Sequence, residues 1–311
     1  MTDIRTVLPR DFNGYGASPP NPEWPEGARI AVNIVVNVEE GAEPSVPDGD
    51  ASSEAGLTEG GAGAFTGRDL GAESMFEYGS RVGFWRLLRV LRRYSAPSTF
   101  FACSQALERT PEIAAAIREG VISGQNDVCA HGLRWERHQT MDRDAERHAI
   151  HSAFDSLTRL TGIPPVGWYC RYAPTQNTRE LLVEHGGFLY DSDAYNDELP
   201  YWTAIRDKQH LVVPYTQLTN DTKFFRGGIS TGQRFFDFLK ESFDMLYAEG
   251  AVQPKMMSIG LHTRIMGHPG RAGGLALFLE HMAAHPDVWL CRRLDLAQHW
   301  RQRHPAPSIS T

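Results

Sequence analysis

The chain has 311 residues, of which 41% are hydrophobic and 22% are charged, and its formal net charge at pH 7 is -7. This composition is typical of a soluble globular protein with an ample core, folded as one large α/β domain or as two smaller domains. Because no basic block offsets the negative charge, we expect neither nucleic acid nor a membrane surface as a partner.

The first ten residues lack the apolar stretch of a secretion signal, and no later segment is long enough to span a bilayer. The four cysteines, at positions 103, 129, 170 and 291, fall in apolar segments without paired spacing. Buried thiols in a reduced compartment explain them best. We therefore expect a cytoplasmic protein without disulfides or a cysteine-based zinc site.

Prolines dominate the N-terminal segment and prevent a regular element there. Residues 1–28 are predicted to form an extended arm that lies on a neighbouring surface or on another subunit. The single predicted domain follows at residues 29–305, and residues 306–311 form a tail.

A buried strand is predicted at residues 30–38, where Ile and Val cluster without a turn residue. This strand ends at Glu39 and Glu40, which are the first chemically suggestive residues. Residues 41–79 are mainly Gly, Ala, Ser and acidic residues, so we predict a long loop that acts as a lid or a subunit contact.

The rest of the chain alternates between predicted helices and predicted strands. Helices are expected at residues 80–94, 110–120, 142–161, 178–185, 231–249, 274–284 and 295–303. Strands are expected at residues 98–103, 166–170, 188–190, 211–215, 256–261 and 288–291, and in the run that leads into His131. Such alternation implies parallel pairing, and this many units favour a closed or nearly closed (β/α) barrel. An open doubly wound sheet is the alternative, but no Gly-x-Gly-x-x-Gly follows the first strand.

Ionisable residues recur where the predicted strands end, namely Glu39 and Glu40, His131, Arg171, Asp191 and Asp193, and His262. The carboxyl ends of barrel strands meet at one face, so these side chains predict a single pocket. Carboxylates with two separated histidines suit hydrolysis of an amide-type C–N bond, in which one group takes a proton from water and another protonates the leaving nitrogen. No nucleophile elbow is present, so a covalent intermediate is not expected.

In these residues the chain resembles the polysaccharide deacetylase (NodB-like) superfamily, and more narrowly its cofactor-independent allantoinase branch, known as urate catabolism proteins. The likeness runs from about residue 10 to residue 304. The segments that carry it are 10–16 (RDFNGYG), 37–41 (NVEEG), 77–83 (EYGSRVG), 187–191 (GFLYD), 211–215 (LVVPY), 247–250 (YAEG) and 254–262 (PKMMSIGLH). The resemblance implies a distorted (β/α)7–8 barrel.

Metal-dependent members of this superfamily hold a divalent cation with the second of two adjacent acids and a His-x-x-x-His pair. Glu39 and Glu40 match the acid positions, but Trp135 stands where the second histidine would be. Because indole cannot ligate a metal, we expect that the protein uses no cofactor. A divalent cation such as zinc, bound through His138, is the alternative.

The resemblance also implies that His262 is a general acid. In our hypothesis a carboxylate of the Glu39–Glu40 pair activates water, while His131 and His262 serve the leaving nitrogen and the oxyanion. Two adjacent carboxylates would tend to raise the pKa of one of them towards neutrality. In the alternative interpretation, the two acids merely face solvent at the strand end.

A second set of residues is predicted to bind a polar, planar substrate by forked hydrogen bonds and stacking. These candidates are Arg134, Trp135, Trp168, Arg171, Asp191 and Asp193. For Trp168 a core position is the alternative, because a tryptophan within a strand is usually packed.

We expect a metal-independent hydrolase that opens a small cyclic ureide such as allantoin, or a related cyclic amide or imide. The alternatives are a de-N-acetylase of an amino sugar or another amide, with or without a divalent metal, and a non-catalytic small-molecule-binding barrel. The chain departs from the allantoinase branch at residues 170–178, Leu133 and Arg137. These positions lie within the expected pocket, so the sequence does not fix the identity of the substrate. The resemblance further implies a homotetramer, with the arm and the 41–79 loop at subunit contacts.

Overall fold

The computed structural model describes residues 10–60, 66–172 and 174–308. Residues 1–9 of the predicted arm, 61–65 of the predicted loop and 309–311 of the predicted tail lie outside the described residues. The described part of the arm packs against the end of the chain. Trp24 is only 2% exposed, and its ring lies 5.5 Å from that of Trp289 and 6.2 Å from that of Trp300.

Strands and helices alternate through the described residues. The strands are β1 (Ile30–Val38), β2 (Ser98–Ala102), β3 (Asn126–Ala130), β4 (Gly167–Trp168), β5 (Tyr190–Asp191), β6 (Tyr201–Ile205), β7 (Lys208–Val212), β8 (Lys255–His262) and β9 (Val288–Cys291). The helices are α1 (Leu70–Tyr78), α2 (Phe84–Arg93), α3 (Ser104–Arg109), α4 (Pro111–Ile122), α5 (Arg143–Thr161), α6 (Thr178–His185), α7 (Lys223–Arg226), α8 (Gly232–Glu249), α9 (Thr263–Met266), α10 (Pro269–Ala283) and α11 (Arg293–Arg303).

The strands form one sheet in the order β6-β7-β5-β4-β3-β2-β1-β8. Every pair is parallel except β6 with β7, which form an antiparallel hairpin. β8 pairs along nearly the whole of β1, from Ile30 to Asn37. β2 and β9 therefore share the other edge, with β2 pairing with residues 35–38 and β9 with residues 30–33.

Arg293, at the start of α11, shows that this sheet curls around a common interior. Its buried guanidinium bonds Asn33 of β1, Ser258 of β8, Ser192 after β5 and the carbonyl oxygen of Pro214 after β7. Strands far apart in the sheet order therefore face one another, while β6 and β8 remain the two ends of the path. The predicted α/β fold, a distorted (β/α) barrel in a single domain, is confirmed, and the barrel stays open between those ends.

The predicted 41–79 loop was wrong for its last part, because α1 occupies residues 70–78. Asp69 caps this helix by accepting the backbone N–H of Ala72 at 3.0 Å. A π-helical turn (Gly79–Gly83) joins α1 to α2, so the helix predicted at 80–94 begins ten residues earlier. The high Gly and Ala content of the segment hid a helix whose stability depends on tertiary packing.

Four short elements were missed, namely β6, α3, α7 and α9. β6 is only partly buried and lacks clear alternation, while α9 has four residues, too few to show helical periodicity. Among the described residues no helix is both long and apolar enough to cross a membrane.

Candidate active site

A small cavity lies at the carboxyl ends of β1, β3 and β8. Its lining residues are Asn37, Glu39, His131, Trp135, Tyr169, Arg171, Tyr172, Tyr215, Gln217, Asn220, Thr222 and His262. Its empty volume, counted out to the open mouth, is about 280 Å³. Five residues that the sequence predicted for the site thus line one cavity, namely Glu39, His131, Trp135, Arg171 and His262.

Glu39 and His131 form a buried pair at the base of this cavity. His131 Nε2 lies 3.2 Å from Glu39 Oε1, and His131 Nδ1 lies 2.8 Å from the carbonyl oxygen of Tyr169. Because a carbonyl oxygen only accepts, Nδ1 must carry a proton. The contact between Nε2 and Glu39 is then attractive only when the pair holds one further proton. The geometry therefore places the site of a shared proton between Glu39 and His131 inside the cavity.

His262 is the second titratable group of the cavity, and Asp221 orients it. Asp221 Oδ1 lies 2.6 Å from His262 Nδ1, and Oδ2 accepts the backbone N–H of His262 at 2.6 Å. Burial lowers the pKa of His262, but Asp221 and Glu39 outweigh it, so the pKa is raised above its ordinary value. With Nδ1 held by Asp221, Nε2 is left to face Glu39 Oε1, at 3.6 Å.

Arg264, the second residue of α9, was missed by the sequence analysis. Its Nη1 lies 2.7 Å from Glu39 Oε2 and 3.1 Å from Glu40 Oε1, and its side chain is 1% exposed. The guanidinium also lies over the rings of Phe76 and Trp135, at 4.5 and 4.8 Å. One cation thus serves two buried carboxylates. The only sequence clue to it is that two adjacent buried acids need a positive partner.

The predicted elevation of a carboxyl pKa was wrong for Glu39, the acid that faces the cavity. Burial raises the pKa of Glu39, but Arg264, His262 and His131 together hold it well below its usual range. Glu40 is 2% exposed and turns away from the cavity, since its carboxylate accepts the backbone N–H groups of Glu39 and Arg264 at 3.2 Å each. The alternative of a solvent-facing acid pair is therefore wrong too.

Arg171 and Trp135 form one wall of the cavity. The guanidinium carbon of Arg171 lies 3.6 Å from the ring centroid of Trp135, and its Nη1 donates to the carbonyl oxygen of Trp135 at 2.9 Å. Arg171 also forms a salt bridge with Glu54. Because Arg264 contacts the same indole, Trp135 holds two cations in place.

Three predicted substrate-binding residues lie behind the cavity wall. Successive strand residues point to opposite faces, and Tyr169 rather than Trp168 faces the cavity. Trp168 is fully buried, as in the alternative interpretation, and Asp191, its neighbour in the sheet, shares its face. Asp191 binds Arg179 and His210, while Asp193 accepts the backbone N–H of Cys170.

Arg134, the fourth such candidate, also lies outside the cavity, where it forms a salt bridge with Asp50. Its position in the sequence, three residues after His131, placed it near the site. The turn at Gly132, whose φ is +90°, directs its side chain to the 41–60 segment instead.

Amide and hydroxyl side chains that the sequence analysis did not select complete the lining. Asn37 donates to the hydroxyl of Tyr215 at 3.3 Å and to the carbonyl oxygen of Leu261 at 3.0 Å. Asn37 lies on the same face of β1 as Asn33 and Glu39. Polar residues recurring on one face of an otherwise apolar strand were the signal that could have identified it.

The donor set does not fit the divalent-cation site of the metal-dependent deacetylases. Of the three ligand positions, one holds Trp135, and the acid at another, Glu40, is bound by Arg264. His138, the predicted substitute, is buried elsewhere, with Nδ1 3.5 Å from Glu146 Oε1 and its ring 5.7 Å from that of Trp168. Only His131 remains in a position to ligate.

Comparison with known proteins adds independent findings. Residues 71–188 match the family described as "Polysaccharide deacetylase". A Schizosaccharomyces pombe protein named "Putative polysaccharide deacetylase" is 37% identical over 319 aligned positions, which cover 95% of this chain and 98% of that protein. The solved structure of Puue allantoinase is 47% identical, with a TM-score of 0.91, and the match covers 96% of this chain and 99% of that chain. A probable polysaccharide deacetylase from Pseudomonas aeruginosa PAO1 has the same identity and TM-score, and the match covers 96% of this chain and 100% of that one.

Proposed function

Because this chain belongs to the polysaccharide deacetylase family and is a hydrolase of carbon–nitrogen bonds, we propose that it opens the ring of a small cyclic ureide such as allantoin, or of a related cyclic amide or imide. The observation that carries the proposal is the cavity itself. It joins a buried acid–base pair to an amide-lined, aromatic-walled space of about 280 Å³, in a chain 47% identical to Puue allantoinase.

The lining matches the chemistry of a ureide. A ureide ring is planar and presents alternating N–H donors and carbonyl acceptors. The amide nitrogens of Asn37 and Gln217 donate to Tyr215 and Tyr169, which leaves their amide oxygens to accept from a ring N–H. Tyr169 and Trp135 offer ring faces. Buried polar groups of this kind discriminate strongly between substrates that satisfy them and substrates that do not.

In the proposed reaction, Glu39 and His131 act together as the base. Water adds to the carbonyl carbon as one of its protons passes to this pair. Before the transfer, His131 Nε2 and Glu39 Oε1 are two acceptors in an unfavourable contact; afterwards they share the proton in a hydrogen bond. Because the pKa of Glu39 is held well below its usual range, its carboxylate alone would be a weak base, and the adjacent imidazole of His131 takes the proton with it. The negative charge of Glu39 is held in place by Arg264 throughout.

His262 completes the reaction as the acid. Asp221 and Glu39 raise its pKa, which favours the protonated imidazolium, and Asp221 directs Nε2 towards the cavity. As the C–N bond breaks, this proton passes to the leaving nitrogen, and the new carboxylic acid ionises. We propose that no metal ion takes part, since Arg264 supplies a fixed positive charge beside the acids.

Allantoin hydrolysis by the purified protein tests the proposal, before and after exhaustive chelation, alongside hydantoin, a cyclic imide and an N-acetylated glucosamine oligomer. We expect ring opening that is insensitive to chelation and lost in Glu39→Gln. Turnover confined to the N-acetyl substrate would favour the de-N-acetylase alternative. Activity that disappears on chelation and returns with a cation would overturn the metal-free mechanism. If none of these substrates is turned over, the result would favour a non-catalytic binding protein.

A further inference from the structure

A second cluster of ligand-type side chains lies on the outside of the barrel, between α8 and α10. Asp244 comes from α8, His281 from α10 and His285 from just beyond the end of α10. One ligand atom from each lies within 4.8 Å of the other two. Among the described residues this is the only group of three His, Cys, Asp or Glu side chains arranged in this way. None of the three lines the catalytic cavity.

The hydrogen bonds of the cluster prepare both imidazoles for a metal. His285 Nδ1 donates to the carbonyl oxygen of His281 at 2.9 Å, so its neutral form carries the lone pair on Nε2. Metal-binding histidines typically donate their other ring nitrogen in this way. His281 Nε2 lies 2.7 Å from Asp244 Oδ1, and a metal ion could replace the proton between these two atoms. Lys240 pairs with the other oxygen of Asp244 and could stay there as a supporting contact.

The surroundings hold the imidazoles in place. Both rings pack edge-on against Phe243, at 5.7 and 5.2 Å, and His285 also packs against Tyr247 at 5.1 Å. The side chain of His281 is 18% exposed, so the cluster is open to an ion yet mostly covered. It also lies at the C-terminal end of α10, where the helix dipole favours a positive charge.

We propose that Asp244, His281 and His285 bind a divalent transition metal such as zinc and thereby bridge α8 to α10. Two imidazoles and one carboxylate leave a fourth position for water, which is the donor set that zinc commonly takes. A tetrahedral zinc ion separates its ligand atoms by roughly 3.3 Å. The 2.7 Å contact between His281 Nε2 and Asp244 Oδ1 would therefore widen slightly, and the other two separations, which are within 4.8 Å, would adjust by side-chain rotation.

The site has a consequence for any study of this enzyme, and it does not depend on the proposed substrate. The purified protein would carry close to one metal ion per chain although no metal takes part in the reaction. The His-x-x-x-His spacing that is absent after His131 is present at His281 and His285, on a different surface. A metal content near one would then report on this helix pair and not on the catalytic cavity.

Cobalt(II) is the probe that tests the proposal, because four-coordinate cobalt absorbs visible light. We expect the chelated full-length protein to bind one Co²⁺ per chain with these bands, and zinc to displace it. His281→Ala, His285→Gln and Asp244→Asn should each weaken binding by about 10-fold or more. Zinc should raise the Tm of the wild type but not that of His285→Gln, and hydrolytic activity should be unchanged in His285→Gln.

Two control variants locate the bound ion. His148→Ala removes an exposed histidine of α5, and Glu39→Gln alters the catalytic cavity, so both should bind Co²⁺ as the wild type does. Loss of binding in Glu39→Gln with retention in His285→Gln and Asp244→Asn would place the metal in the cavity and overturn the proposal. Absence of saturable binding in the wild type would overturn it as well, and would leave the cluster as an ion pair between helices.

Discussion

The chemistry of the cavity depends on single residues, and Glu39 is the central one because His131, His262 and Arg264 all contact it. Its Oε1 faces the two histidines, and its Oε2 faces Arg264. A buried carboxylate with three positive or protonatable neighbours stays ionised, so proton transfer must involve the histidines.

Arg264→Met removes the cation between Glu39 and Glu40. We expect kcat/KM to fall by about 100-fold or more, because two uncompensated buried carboxylates would take up a proton. The pKa of Glu39 should rise, so the low-pH limb of the kcat/KM profile should move to higher pH. Arg264→Lys, which keeps the charge but loses the forked geometry, should recover part of the activity.

The matched control is Arg271→Met, since Arg271 binds Glu59 and does not line the cavity. Its pH profile should coincide with that of the wild type. If Arg264→Met has a wild-type profile as well, Arg264 does not position Glu39.

Asp221→Asn tests whether His262 donates a proton. Asp221 is the larger of the two contributions that raise the pKa of His262 against the effect of burial. In the variant this pKa should fall, so the protonated form is lost at a lower pH. The high-pH limb of kcat/KM should therefore move to lower pH. An unmoved limb would show that His262 is not the acid.

The sequence predicted the cavity residues that directly end strands, but not their partners. Glu39, His131 and His262 were identifiable because each follows an apolar run. Arg264 and Asp221 become partners only through tertiary contacts, His262 to Asp221 across 41 positions and Arg264 to Glu39 across 225. Asp191 and Asp193 also lie at the end of a strand, yet their side chains face away from the cavity. The sequence could not predict this, because β4 and β5 have two residues each and so give no alternating pattern that identifies the inward face.

At the scale of elements, the π-helical turn Gly79–Gly83 allows α2 to approach α9 closely. A Cβ at Gly83 would lie 2.1 Å from the carbonyl oxygen of Thr263, and one at Gly79 would lie 2.7 Å from the side chain of Glu40. Gly267 faces Gly83 across the same crossing, where its Cβ would lie 2.3 Å from the Cα of Gly83. Backbone contact at this crossing thus helps to fix α9, which carries Arg264.

Gly83→Ala should force α2 and α9 apart. We expect the free energy of unfolding to fall by about 1–3 kcal/mol and kcat/KM to fall with it, because Arg264 would shift away from Glu39. Gly273→Ala is the matched control, since a Cβ at this helical position meets nothing within 4 Å. That variant should be more stable by roughly 0.5–1 kcal/mol. Urea unfolding and steady-state kinetics of both variants provide the comparison.

Long elements were predictable and short ones were not. The predicted boundaries of β1, α5 and α8 lie within one residue of those in the structure, because each is long, periodic or ended by a glycine. The strand predicted at residues 211–215 instead ends at Val212 and forms a hairpin with β6. That hairpin has little apolar alternation, so only its tertiary position identifies it.

At the scale of the whole molecule, buried acids make stability depend on pH. Burial raises the pKa of Asp127 to about 6, and one of its oxygens has no hydrogen-bond partner. The native state therefore keeps a proton that the unfolded chain, with a carboxyl pKa of about 3.9, has already released. This contribution to stability is present at low pH and is lost as the pH rises through about 6.

Asp127→Asn removes that pH-dependent loss. We expect the free energy of unfolding at pH 7.5 to rise by about 1–3 kcal/mol, with a much smaller change at pH 4. Urea denaturation at the two pH values gives the difference. Asp237→Asn, an exposed acid of α8, serves as the control and should change neither value. Equal effects of Asp127→Asn at both pH values would contradict this account.

We also propose that the protein is a homotetramer, as its resemblance to the allantoinase branch implies. Size-exclusion chromatography with light scattering should give about four times the chain mass of 34.8 kDa. A monomer of that mass would refute the proposal.

The pairing of β1 has a consequence for how the protein is made. β1 is wholly buried, yet the strand that pairs with nearly all of one edge begins only at Lys255. On the other edge β2 pairs with residues 35–38, while the partner of residues 30–33, β9, begins at Val288. At 5–20 residues per second, a ribosome needs roughly 10 to 40 s to reach Lys255 after β1 emerges. During that interval the nine mainly apolar residues of β1 lack their principal pairing partner, β8. Nascent chains of this protein should therefore depend on chaperones that shield this segment until translation is nearly complete.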